Sequence, residues 1–125
     1  MAKFADDDMI DASLNFLKTN CTRMFLCSQQ PANYVEANAT YNLATFTMDS
    51  GNYTGPANGD ANGRKLTVNQ MSGVNATANG TANHVVLGIS SNTTIKYGTT
   101  CANQAVTTGN PIQINAWDIE IADPS

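Results

Sequence analysis

One histidine and two nearby carboxylates have the best claim in this chain to proton-transfer chemistry. His84 is the single residue of its type and the side chain that by default titrates near neutrality. No GxSxG, HExxH or comparable spacing surrounds it, so the sequence offers it no nucleophile or carboxylate partner. Asp118 and Glu120 stand two apart in an alternating segment, which would set them about 7 Å apart on one strand face. That spacing permits the acid and base pair of a glycosidase, but the wet face of any acidic strand shows it too, and we read a solvated face.

Three further groups invite chemical readings. The stretch Gly51 to Gly63 is glycine-rich and leads into Arg64-Lys65, which invites a phosphate-binding reading. It lacks the GxxxxGK[ST] order and leads into a strand where phosphate binding needs a helix N-terminus. Asp6, Asp7 and Asp8 are consecutive, whereas a calcium loop of the EF-hand type alternates its carboxylates around a central glycine and ends in a distal glutamate. They read instead as the acidic opening of a helix. Cys21, Cys27 and Cys101 are odd in number with no CxxC pair, and a strand between the first two would hold them about 20 Å apart, too far for a bridge. Buried free thiols are expected, with no metal, no cofactor and no enzyme activity.

Composition narrows the partners. Charged residues make up 13% of the 125, about half the usual share, and Asn, Thr, Ala, Gly and Ser take their place. The formal net charge of -4 and the scatter of the basic residues leave no footprint for nucleic acid or an anionic membrane. No apolar run approaches the ~20 residues that span a bilayer, and the acidic opening is unlike a signal peptide. Synthesis without export follows, and the six N-x-Ser/Thr triplets at Asn20, Asn38, Asn52, Asn75, Asn79 and Asn92 are then not expected to carry glycans.

The elements that would position these residues follow from periodicity. Ile10, Leu14 and Leu17 recur at helical spacing, predicting an amphipathic helix over about 7–19. From 21 to about 122 the chain reads as a β-domain. Met24-Phe25-Leu26 is a strand apolar on both faces, with the helix as its natural cover. Tyr41 to Met48 alternates, Tyr34 to Ala39 is unassigned, and Asp49 to Gly63 reads as a long loop. Lys65 to Val68 is a short strand, Val74 to Ala82 a polar edge, and Gln104 to Thr107 another strand.

Val85 to Tyr97 reads as the central hairpin, with His84 as its outward-facing first residue. Placing Val85, Leu87, Ile89, Ile95 and Tyr97 on one face requires an odd loop, Ser90 to Asn92 or Ser90 to Thr94. In the last segment Ile112 and Ile114 share one parity, Trp117, Ile119 and Ile121 the other, so a β-bulge is expected near Asn115-Ala116. The fold expected is a single domain over 1–125, mainly β, an antiparallel β-sandwich or small barrel of about seven strands with one short N-terminal α-helix.

The helix followed by Cys21-Thr22-Arg23-Met24 and Ser28-Gln29-Gln30-Pro31-Ala32-Asn33-Tyr34, then Gly63 to Val68, Ala82 to Leu87 and the closing Ala116 to Pro124, resembles a family of small virion structural proteins of tailed bacteriophages. The likeness runs over nearly the whole length. It implies a capsid decoration or head accessory protein, made in a host cytoplasm without a signal peptide, located in the virion, and bound as a homo-oligomer to the major capsid protein or other virion proteins. A tail, baseplate or fibre component contacting host glycans is the alternative. The candidate docking residues are Asp6, Asp7 and Asp8, then Asn52, Tyr53, Asn58, Asp60 and Arg64 of the presumed loop, and Trp117, whose parity also suits the core.

Overall fold

The computed structural model describes residues 4–124; the first three residues and Ser125, to which the expected single-domain span extends, lie outside the described part. The molecule is a small antiparallel β-sandwich preceded by a helix. Helix α1 runs Asp7–Asn20. Nine strands follow among the described residues: β1 Arg23–Cys27, β2 Asn42–Thr47, β3 Tyr53–Asn58, β4 Arg64–Val68, β5 Met71–Asn75, β6 Gly80–Ile89, β7 Thr94–Val106, β8 Pro111–Ile114 and β9 Trp117–Ile121. They form three sheets, ordered β2-β1-β6-β7, β3-β4-β9 and β5-β8.

The helix is where its sequence places it. Asp6 caps it by accepting a hydrogen bond from the Asp8 amide, and Asp7 and Asp8 lie at the positive end of its dipole. Ile10, Leu14 and Leu17 are its buried face. That face lies chiefly against β3 and β4, and the Lys18 ammonium donates to the Gly55 carbonyl at 2.9 Å. The main core draws Leu14, Met24, Leu26, Phe46, Leu66, Val68, Leu87 and Ile119 from all these layers.

From Met24 to Cys27 β1 is apolar because it is covered twice. Met24 and Leu26 join the main core, whereas Phe25 and Cys27 join a second cluster with Ala37, Val86, Tyr34 and Tyr41. The second cover is therefore the segment sequence reasoning left unassigned, not α1. That segment forms a π-helical turn over Glu36–Thr40, and its Tyr34 meets the Phe25 ring edge-on at 5.4 Å.

Five further expectations need correction. The central hairpin has an even loop: Ile89 faces Thr94, with Ser90 to Thr93 between them. Parity is restored by a bulge at Lys96, since Gly88 faces Ile95 while Leu87 faces Tyr97. Ile95 consequently packs in the second cluster and Tyr97 against the main core. β6 begins at Gly80 rather than at His84, and the expected Gln104 strand is the end of β7, kinked where Cys101 to Asn103 stand against Asn83 alone.

Asp49 to Gly63 is not a long loop. It contains a one-turn 3-10 helix at Ser50–Asn52 and the whole of β3, with Gly55-Pro56 absorbed by a bulge in the β3–β4 ladder. Proline lacks a ladder donor, so a bulge is where a strand tolerates it. Finally, the phase change near Asn115-Ala116 is larger than a bulge: β8 pairs with β5 and β9 with β4, so the chain changes sheets there.

Candidate binding interface

The candidate residues separate into two ends of the β3-β4-β9 sheet and one cleft. At the first end β4 starts beside the helix start. The Arg64 guanidinium donates through Nε and Nη2 to the two Asp11 oxygens at 2.8 and 3.1 Å, and through Nη1 to Asn58 Oδ1 at 2.7 Å. Asp7 Oδ2 lies 3.9 Å away. The hydrogen bond to Asp11, helped by the charges of Asp11, Asp7 and Asp8, raises the Arg64 pKa against the opposing effect of burial. The fork fixes α1 to β4, a planar bidentate geometry that lysine would not reproduce.

Lys65, the next residue, faces the other side of β4. Its Nζ is 2.7 Å from Asp60 Oδ1 and 3.7 Å from Asp118 Oδ2, and the bond to Asp60 is the main reason its pKa is raised. Asp118 Oδ1 also accepts from the Thr67 hydroxyl at 2.7 Å, and Glu120 Oε1 from the Asp60 amide at 2.6 Å. The two carboxylates considered as an acid and base pair are thus anchored to β4 and to the β3–β4 turn. His84 lies elsewhere, in the middle of β6 opposite Cys27 and Thr100, partly buried, with Nδ1 2.6 Å from Asn83 Oδ1.

At the opposite end, about four strand residues or ~13 Å away, lie Asn52, Tyr53 and Trp117. Asn52 closes a capping box with Asp49. Tyr53, a candidate docking residue, is buried in the core: it is 4% exposed and its hydroxyl donates to the Cys21 carbonyl at 2.9 Å. Desolvation by burial raises the pKa of this hydroxyl. Asp6 and Asp8 remain exposed on the helix start.

Trp117 belongs to a feature that periodicity did not reveal. It is partly buried, stacked on Tyr97 with ring centroids 6.1 Å apart, and its indole N–H is buried without a hydrogen-bond partner. It walls a cleft of about 660 Å³ between β7 and the β8 to β9 segment, reaching down to Leu26, Ala82 and Val85. None of the residues lining the cleft carries a charge. The only signal for it in the sequence is the uncharged run from Tyr97 to Trp117, which composition alone cannot tell from an ordinary strand and turn.

The thiols divide in the same way. Cys21 and Cys27 are buried, Cys101 is partly exposed on the cleft wall, and all three are free. Burial pushes the Cys21 thiol up to about 11 and the Cys27 thiol up to about 12, and raises Cys101 as well. Among the described residues no group of three or more His, Cys, Asp and Glu is placed to hold a metal ion, and no helix is long and apolar enough to cross a membrane. No protein-family model, curated protein or solved structure matches this chain.

Proposed function

We propose that this chain is a virion structural protein of a tailed bacteriophage, a decoration or head accessory protein that binds the assembled shell in many copies. The observation that carries the reading is the division of the surface. The ionised side chains of β4 and β9 are spent on tying the fold together, while a large concavity among the described residues is uncharged and walled mainly by strands. Such a surface suits recognition of another protein more than proton transfer, and it supports the family resemblance carried by the helix, the Cys21 to Tyr34 segment and the Ala116 to Pro124 ending. Many weak copies on one shell bind durably through effective concentration.

The test is to add purified protein to shells that lack it and to count copies by electron cryomicroscopy. Hundreds of copies on the shell lattice are expected. A dozen or fewer, confined to the tail or baseplate, would replace this reading with that of a tail component.

A further inference from the structure

The cleft beside Trp117 has the form of a missing strand. Consecutive strands joined by a turn of a few residues ordinarily pair with each other, and β7 and β8 are joined by Thr107 to Asn110 alone. Yet β7 pairs only with β6, and β8 only with β5. The turn is held from outside: Ala76 donates to the Asn110 carbonyl at 2.9 Å, Gly109 to the Ala76 carbonyl at 2.8 Å, and the Thr108 amide to Asn79 Oδ1 at 2.8 Å. With the turn pinned to the β5–β6 connection, the two arms splay and the cleft opens between them.

We propose that this cleft receives an extended, uncharged segment of the shell protein, which adds as a strand along β7; the identity of that partner rests on the function proposed above. Two observations select this occupant. The outer edge of β7 has no backbone partner among the described residues, and between Tyr97 and Val106 it carries neither proline nor a charged side chain, the devices that usually blunt an exposed edge. The cleft offers no charge for an acidic or basic peptide to pair with, so charged side chains entering it would be desolvated without compensation. Main-chain bonds to β7 would give affinity, and alternate side chains lying over Leu26, Val85 and Ile112 would give selectivity, as in other strand additions. The bulges at Lys96 and at Cys101 to Asn103 confine the pairing to Tyr97–Thr100 and Gln104–Val106.

The experiment compares the full-length protein with Ala105→Lys and Gln113→Lys, two exposed positions on the cleft walls, and with Ser91→Lys in the β6–β7 turn as control. Binding to isolated shells is measured by co-sedimentation, the emission of Trp117, the only tryptophan, is followed, and hydrogen exchange is read along β7. The cleft variants should bind about tenfold or more weakly and the control as wild type, with Trp117 emission shifting and β7 amides slowing in the wild-type complex. Equal binding by all four proteins, or unchanged β7 exchange, overturns the strand addition and leaves the decoration reading in place. Failure of the wild type to bind shells overturns both. Self-association of the wild type that the cleft variants abolish would assign the cleft to a second copy and overturn the shell segment as occupant.

Discussion

The two edges of the four-stranded sheet are treated in opposite ways. Along β2, the Thr77 amide donates to the Leu43 carbonyl at 2.8 Å and the Asn42 side chain donates to the Ala37 carbonyl, the Ala44 carbonyl and the Thr45 hydroxyl. Leu43 is 3% exposed and presses on Gly80, whose added Cβ would sit 3.0 Å from Leu43 Cδ2. The β5 end of the sandwich is thereby closed over this edge. Along β7 the layers part instead, and core residues such as Leu26 and Val85 are reached from a cleft. An edge closed by backbone and amide contacts contributes to folding, whereas an edge left open contributes a surface on which a partner's strand can complete the ladder.

Substitutions on either side should separate these roles. Leu43→Ala on the closed edge leaves a cavity under β5 and should lower stability by about 2–5 kcal/mol in urea denaturation. Asn42→Ala strips the Ala37 carbonyl of a partly buried partner and should cost about 1–3 kcal/mol by the same measurement. A far smaller loss at either position would mean that the β2 edge is not closed as described.

The thiols give a third comparison. Cys21 and Cys27 are buried with pKa values raised above the ordinary 9.0, so folding favours their protonated forms. Their contribution is fully present below pH 9 and is lost as pH rises through about 11 to 12, and the denaturation midpoint should fall over that range. At neutral pH an aromatic disulfide reagent should modify Cys101 first and reach the other two only as the protein unfolds; simultaneous reaction of all three would contradict the contrast. The smallest effect belongs to the open edge. Ala105→Lys should change stability by no more than about 0.5 kcal/mol, and a larger loss would show that the cleft wall is part of the fold.

Much of the architecture was legible because it depends on local pattern. Ile10, Leu14 and Leu17 defined α1, the unbroken Met24-Phe25-Leu26 run defined a strand covered on both faces, and the parity change around Asn115-Ala116 marked a break in the last segment, which it gave as a bulge where the chain in fact changes sheets. Misreadings occurred where register was set by a neighbour. Gly55-Pro56 looks like turn chemistry until β4 pairs on both sides of it. The odd hairpin loop followed from assuming an unbroken ladder, which the bulge at Lys96 invalidates. Of the candidate docking residues, Tyr53 shows the limit of local pattern, because polar neighbours in sequence do not reveal that its ring is buried and its hydroxyl reaches Cys21.

The sequence by itself determined a mainly β, weakly charged domain with a capped helix, because side-chain periodicity, capping chemistry and composition act over a few residues. Only the tertiary structure decided that Arg64 and Lys65 are bound to Asp11 and Asp60, that Asp118 and Glu120 anchor β9, and that β7 and β8 stand apart. Those outcomes depend on which strands meet and where a turn is pinned, and such contacts join residues far apart in the chain, beyond the reach of any local pattern.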